Sequence, residues 1–178
     1  MDFYIEPSEN LSGEIEIPGD KSISHRAVIF GSLACGVSEF TNFLSGEDCL
    51  ATLNAFKEMG IYADLSDDKL IIHGVGINGL KKASEALYLG NSGTSARLLV
   101  GLLGAQKFES TIEGDKSLSG RPMNRVLDPL ETMGANIRSN NGKLPIHIKP
   151  VNEISGINYS LPVASAQVKS SLILASIY

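Results

Sequence analysis

The sequence is short of cysteine, of basic charge and of long apolar runs, and each shortage removes a class of protein. Two cysteines, Cys35 and Cys49, with no Cys-x-x-Cys pair, exclude a disulfide framework and a thiolate metal centre. Both fall in apolar, helix-like stretches and are expected to be buried thiols. His25, His73 and His147 are scattered, with no His or acidic residue at ligand spacing, so no metal and no other cofactor is expected. The longest apolar stretches, near Leu98–Leu103 and Leu172–Ile177, fall far short of the ~20 residues of a membrane span. The first residues, Met-Asp-Phe-Tyr-Ile-Glu, carry acid where a signal peptide carries Lys or Arg, which predicts a cytoplasmic protein. The net charge of −5 argues against a nucleic-acid partner, which needs a basic face to displace counterions.

What is present is a foldable chain. Its 178 residues are 43% apolar and 20% charged, enough for one domain with a real core, or one domain plus a piece of another. The few arginines are unevenly spread: Arg26, Arg97, Arg121 and Arg125 all sit beside Ser, Thr, Asn or Gly-rich turns. Positive charge held locally in an acidic protein suits a small anionic ligand.

The chain also repeats itself. Leu44-Ser45-Gly46 returns as Leu118-Ser119-Gly120, Met59-Gly60 as Met133-Gly134, and Ile72-His73 as Ile146-His147, each 74 residues on. Each copy reads as β-α-β-α-β-β. In the first, Glu14–Ile17 alternates like a half-buried strand, and Ser22 or Ser24 caps a helix through Leu33 and Ala34 that Gly36 ends. A strand near Glu39–Phe43 leads to a second helix, Leu50 to Met59, and then to strands at Ile61–Leu65 and Leu70–His73. In the second, Ala86–Leu89 feeds a helix from Ser95 to Leu103, with a strand at Thr111–Glu113. Pro122 starts the next helix, Pro129 should kink or break it, and strands follow at Asn136–Ser139 and Leu144–Ile148. A third copy begins with a strand near Ile157–Leu161 and a helix from Gln167, and stops at Tyr178. That truncation should leave Leu172, Ile173 and Ala175 without partners. The expected class is α/β (α+β), with units at about 18–79, 80–152 and 153–178.

Chemistry gathers at one place in every unit, the strand-to-helix turn: Lys21-Ser22-Ile23-Ser24-His25-Arg26, Asn91-Ser92-Gly93-Thr94-Ser95-Ala96-Arg97, and Ser165-Ala166-Gln167-Val168-Lys169-Ser170. A helix N-terminus offers free N–H groups and the positive end of its dipole, and Ser, Thr and Lys add donors. Ordinary capping accounts for any one such turn. Three in register, each with a cation, point to an anion site. Arg121, just before a proline, is suited to a two-pronged acceptor. Gly-Asp-Lys-Ser occurs at both Gly19–Ser22 and Gly114–Ser117, without the spacing of a P-loop. Lys116 reads as a solvated loop residue.

These segments carry a resemblance. Pro18–Ala27, Leu89–Thr94 with Arg97, Gly114–Pro122 and Ser165-Ala166-Gln167 resemble four ordered signatures of the 5-enolpyruvylshikimate-3-phosphate (EPSP) synthase family. The resemblance runs from about Gly13 to Tyr178 and covers the first part of the family's length. It implies a fold of two domains of three β-α-β-α-β-β units, residues 1–17 belonging to the second domain and 18–178 forming an incomplete first. It implies transfer of an enolpyruvyl group from phosphoenolpyruvate to the 5-hydroxyl of shikimate 3-phosphate by a monomer when complete.

Position by position, the resemblance implies that Lys21, Ser22 and Arg26 contact shikimate 3-phosphate, Lys21 also touching phosphoenolpyruvate. Gly93 and Arg121 correspond to phosphoenolpyruvate contacts, and Ser165 and Gln167 to shikimate 3-phosphate ligands. Ala166 stands where some members have Ser, so no side-chain bond is available there. The family's acid and base residues lie in the second domain, so no catalytic residue is expected in this chain, which should be inactive alone. Two alternatives remain: a relative of the enolpyruvyl transferase acting on UDP-N-acetylglucosamine, whose loop commonly carries a Cys that Gly114–Arg121 lacks, and a non-catalytic anion-binding module.

Overall fold

A computed structural model describes residues 3–178. Along the chain the elements are α1 (Lys21–Leu33), β1 (Cys35–Phe40), α2 (Glu47–Glu58), β2 (Tyr62–Ser66), β3 (Lys69–Val75), β4 (Leu87–Tyr88), α3 (Gly93–Gly104), β5 (Ser110–Glu113), α4 (Lys116–Ser119), α5 (Asn124–Thr132), β6 (Asn136–Asn140), β7 (Lys143–Lys149) and α6 (Ala166–Ala175). The first sheet runs β1-β3-β2, wholly antiparallel. The second runs β4-β5-β7-β6, with β4 parallel to β5 and the other pairs antiparallel.

Alternation decides which face of each sheet is covered. In β7, Leu144, Ile146 and Ile148 are buried while the residues between them are exposed, so one face meets the helices and the other meets water. The hairpin β2–β3 recurs as β6–β7 at an offset of 74 residues with the same bounds. Its supports recur with it. Gly60 and Gly134 take positive φ (92° and 101°) after the preceding helix, and Asp67 and Asn141 do so (53° and 52°) in the two turns. The N–H of Lys81 donates to the carbonyl of Met59, and that of Ser155 to the carbonyl of Met133.

Helix α3 is apolar all round and buried through Leu98, Leu99, Val100, Leu102 and Leu103. It packs most extensively on α6. Gly101 makes this possible: a Cβ there would stand 2.2 Å from the carbonyl oxygen of Ser171. The hydroxyl of Ser171 in turn donates to the carbonyl of Arg97 at 2.7 Å.

Several expectations are corrected. No strand forms at Glu14–Ile17 or at Ile157–Leu161, because alternation makes a strand only where a neighbour pairs with it; Ile15 is 82% exposed. Residues 1 and 2 of the expected 1–17 segment lie outside the described residues. Asp20, not Ser22 or Ser24, caps α1. Gly36 lies within β1 rather than ending α1, and Cys35 beside it is exposed, whereas Cys49 is buried as expected. Helix α5 starts at Asn124, two residues after Pro122, and continues through Pro129. The carbonyl that Pro129 leaves without its helical partner belongs to exposed Arg125, where water can serve it. Of Leu172, Ile173 and Ala175, only Ile173 is exposed, because α6 seats its other apolar side chains on α3 and α5.

The backbone approach at Gly101 generates a stability prediction. Gly101→Ala should destabilise the fold by ~1–3 kcal/mol, the usual cost of overpacking a tight core contact. Gly156→Ala, where a Cβ meets nothing within 4 Å, should stay within about 0.5 kcal/mol of the parent. Urea unfolding of the two variants checks the difference.

Candidate functional site

Three helix N-termini converge. At the first, Gly19 lies so close to the loop after β1 that a Cβ would stand 1.9 Å from the carbonyl oxygen of Asn42. Asp20 then accepts the N–H of Ile23 at 2.7 Å and starts α1. Lys21, the first helical residue, forms an ion pair with Asp48 in the first turn of α2 and keeps about half its side chain in water. Arg26 is exposed, and its Nη1 donates to the carbonyl of Ser22 at 3.1 Å.

At the second, Ser92 caps α3 by accepting the N–H of Ser95, and Gly93 is the first helical residue. Two guanidinium groups crowd Gly93. A Cβ would lie 2.8 Å from Nη1 of Arg97 and 3.1 Å from Nη1 of Arg121. Arg97 donates to the carbonyls of Gly93 (3.0 Å) and Pro122 (3.3 Å). Burial, with Arg121 and Arg125 nearby, holds its pKa below the ordinary arginine value. Arg121 donates to Oδ1 of Asn91 and, at 3.4 Å, to Oγ of Ser117, while Asn91 donates to Asp115 at 3.0 Å.

At the third, Ser165 caps α6 by accepting the N–H of Val168 at 3.3 Å, and Nε2 of Gln167 donates to Oγ1 of Thr94 at 2.9 Å. Ser22 and Arg26 of α1, Thr94 and Leu98 of α3, and Ala166, Gln167 and Ser170 of α6 line one cavity of about 70 Å³. Thus Ser22, Arg26 and Gln167 share a cavity, Lys21 and Ser165 stand at the starts of two of its helices, and Arg121 approaches Gly93, which precedes Thr94 on the third. Helix N-termini and a guanidinium, that of Arg26, at one small space attract an anion with several oxygens.

Larger clefts lie elsewhere. One of about 580 Å³ on the outer face of the second sheet mixes Lys82, Arg138 and Lys149 with Glu85, Glu109 and Glu113, so no one sign of charge dominates it. The converging helix ends make the smaller cavity the better candidate. Among the described residues no group of three or more His, Cys, Asp or Glu could hold a metal ion, and no helix is long and apolar enough to cross a membrane.

Both Gly-Asp-Lys-Ser copies start helices in the same way: Asp115 caps α4 as Asp20 caps α1, each accepting an N–H three residues on at 2.7 Å. Lys116 is therefore helical rather than in a loop, though exposed as expected. What separates the two lysines is Asp48, which pairs with Lys21 from the first turn of α2.

Sequence reasoning also missed the polar cluster beneath the site. Nδ1 of His25 lies 2.8 Å from Oγ1 of Thr52, which lies 2.6 Å from Oγ of Ser95. Thr52 sits at helical spacing with the buried residues Cys49, Leu53 and Phe56, and a hydroxyl on a core face was the available signal. Burial lowers the pKa of His25, opposed by the Asp48 carboxylate and reinforced by Lys21 and Arg26. Protonation therefore favours the unfolded chain. Stability should be full above the ordinary histidine pKa of ~6.5 and fall as pH drops below it, by at most about 1.4 kcal/mol per pH unit for one proton. Denaturant titrations between pH 8 and 5 should show this slope in the parent and a shallower one in His25→Gln.

Comparison with known proteins identifies the family. The sequence model for EPSP synthase (3-phosphoshikimate 1-carboxyvinyltransferase) matches residues 5–178. A 3-phosphoshikimate 1-carboxyvinyltransferase of Ruthia magnifica subsp. Calyptogena magnifica is 56% identical over 99% of the chain and 40% of its own length. One from Legionella pneumophila (strain Corby) is 52% identical over 100% of the chain and 41% of its own. A solved structure of EPSP synthase from Acinetobacter baumannii superposes with a TM-score of 0.89 at 52% identity, over 92% of this chain and 37% of that one. The chain thus spans about two fifths of the length of the curated relatives it matches. With the family's model matching nearly every residue and its solved fold superposing on these helices and sheets, the chain belongs to the EPSP synthase family.

Proposed function

We propose that this chain supplies the anion-binding wall for transfer of an enolpyruvyl group from phosphoenolpyruvate to the 5-hydroxyl of shikimate 3-phosphate. The observation that carries this reading is the convergence of three helix N-termini, with Ser22, Arg26 and Gln167 on one cavity. Family membership supplies the reaction class.

In this reading Lys21, Ser22 and Arg26 bind shikimate 3-phosphate from α1, and Ser165 and Gln167 bind it from α6. Gly93, through its backbone N–H, and Arg121, through its fork, bind phosphoenolpyruvate. The 5-hydroxyl oxygen adds to C2 of phosphoenolpyruvate as C3 gains a proton. Loss of phosphate and of a C3 proton then gives the enol ether. Two multiply charged anions must be held together for this, and the cations offset their repulsion while the helix ends orient them. No general acid or base is assigned to this chain, no cofactor enters the scheme, and the setting proposed is a cytoplasmic monomer. Residues 1–17 are assigned to a second domain and 18–178 to an incomplete first.

The test is titration of the chain with shikimate 3-phosphate. Saturable binding is expected, with no phosphate released when phosphoenolpyruvate is added. Lys21→Ala should weaken binding by ~1.5–3 kcal/mol, the range for a charge-assisted bond. Lys116→Ala should cost under about 0.5 kcal/mol. Equal losses at the two lysines, or turnover by the chain alone, contradict these assignments.

A further inference from the structure

One buried polar cluster has no part in the ligand contacts. His25 of α1, Thr52 of α2, and Ser92 and Ser95 at the start of α3 are all at most 1% exposed. Thr52 stands between His25 and Ser95, and Ser95 between Thr52 and Ser92. The carbonyl of Asp48 lies 3.3 Å from both the Thr52 and the Ser95 hydroxyls, while the carboxylate of the same residue holds Lys21. The cluster therefore begins one helical turn below Lys21 and ends at the residue preceding Gly93.

Counting protons orders it. There are five contacts, one of them ending on Ser92, whose oxygen already accepts the N–H of Ser95, and two of them on a carbonyl that can only accept. The three hydroxyls supply one proton each. If Nδ1 of His25 accepted, three protons would serve five contacts, and an Nε2–H would be buried without a partner. If Nδ1–H donates to Thr52, four protons serve, and Nε2 is left as a bare lone pair. A buried orphan N–H is the rarer and costlier defect. The Nδ1–H form is therefore favoured, with the Thr52 hydroxyl accepting from His25.

We propose that His25, Thr52 and Ser95 are positioning residues: their hydrogen-bond relay fixes the start of α1 against the cap of α3 and so sets the span over which the anion is gripped. Lys21, Ser22 and Arg26 stand at one end of that span, and Gly93 and Thr94 at the other. The proposal rests on the anion-binding reading of the site, but not on which anion binds.

The experiment combines long-range ¹H–¹⁵N spectra of the imidazoles with titrations of the 178-residue chain by shikimate 3-phosphate and, separately, by inorganic phosphate. His25 should show a proton on Nδ1 only. Thr52→Val should weaken both ligands roughly three- to tenfold, the effect of one misplaced hydrogen bond, and Thr52→Ser should restore them. Should Thr52→Val fail to fold, Ser95→Ala cuts the same relay and carries the same expectation. An Nε2–H tautomer overturns the proposal. So does loss of thermal stability with affinity unchanged, because that outcome reduces the cluster to core packing. Parent binding to phosphate but not to shikimate 3-phosphate defeats the substrate reading and leaves the phosphate series to decide the relay. Binding of neither defeats both.

Discussion

Bringing several helix N-termini to one point is electrostatically unfavourable, and much of the surrounding structure follows from that. The partial positive ends of α1, α3 and α6 approach one another, and Lys21, Arg26, Arg97 and Arg121 add formal charge to the same region. Three features offset this without filling the cavity. Asp48 places a carboxylate on Lys21. Caps at Asp20, Ser92 and Ser165 each occupy one helix-end N–H and leave others directed outward. Backbone carbonyls of Ser22, Gly93 and Pro122 hold the arginines at fixed angles.

The rest of the fold keeps those ends in place. Hairpins β2–β3 and β6–β7 cover the outside with one apolar face each, and the helices they cover cannot slide without exposing it. Buried all round, α3 is the axis on which the other elements are set. Its contact with α6 is close enough that main chain meets main chain, so Gln167 reaches Thr94 across 73 residues of sequence by a single hydrogen bond. Precision at the ligand depends on this rigidity, since a side chain on a loosely seated helix cannot hold an oxygen within hydrogen-bonding distance.

What sequence alone revealed, and what it hid, has a physical pattern. The hairpins were legible because alternation, turn residues and a 74-residue repeat all agreed at Tyr62–Val75 and Asn136–Lys149. The helix starts were legible because small polar residues recur there. The expected strands at Glu14–Ile17 and Ile157–Leu161 failed because a strand is a property of a pair, and one segment cannot report whether its neighbour is present. Asp20 was overlooked as a cap beside two serines, yet Ser24 is buried and accepts the N–H of Leu44 instead. Hidden most completely were Asp48 and Thr52, whose roles arise from residues 27 positions earlier on another helix.

The ion pair between Lys21 and Asp48 has a consequence for selectivity. A tethered carboxylate competes for the ammonium at an effective concentration of the order of millimolar or above, whatever the surrounding solution contains. Chloride, acetate and similar single-contact ions must displace it unaided and gain little by doing so. A ligand that also engages Arg26, the α3 backbone and Gln167 can displace it cooperatively. In the proposed binding role, the internal pair would act as a threshold against small anions, admitting those that carry enough oxygens to bridge several helices at once.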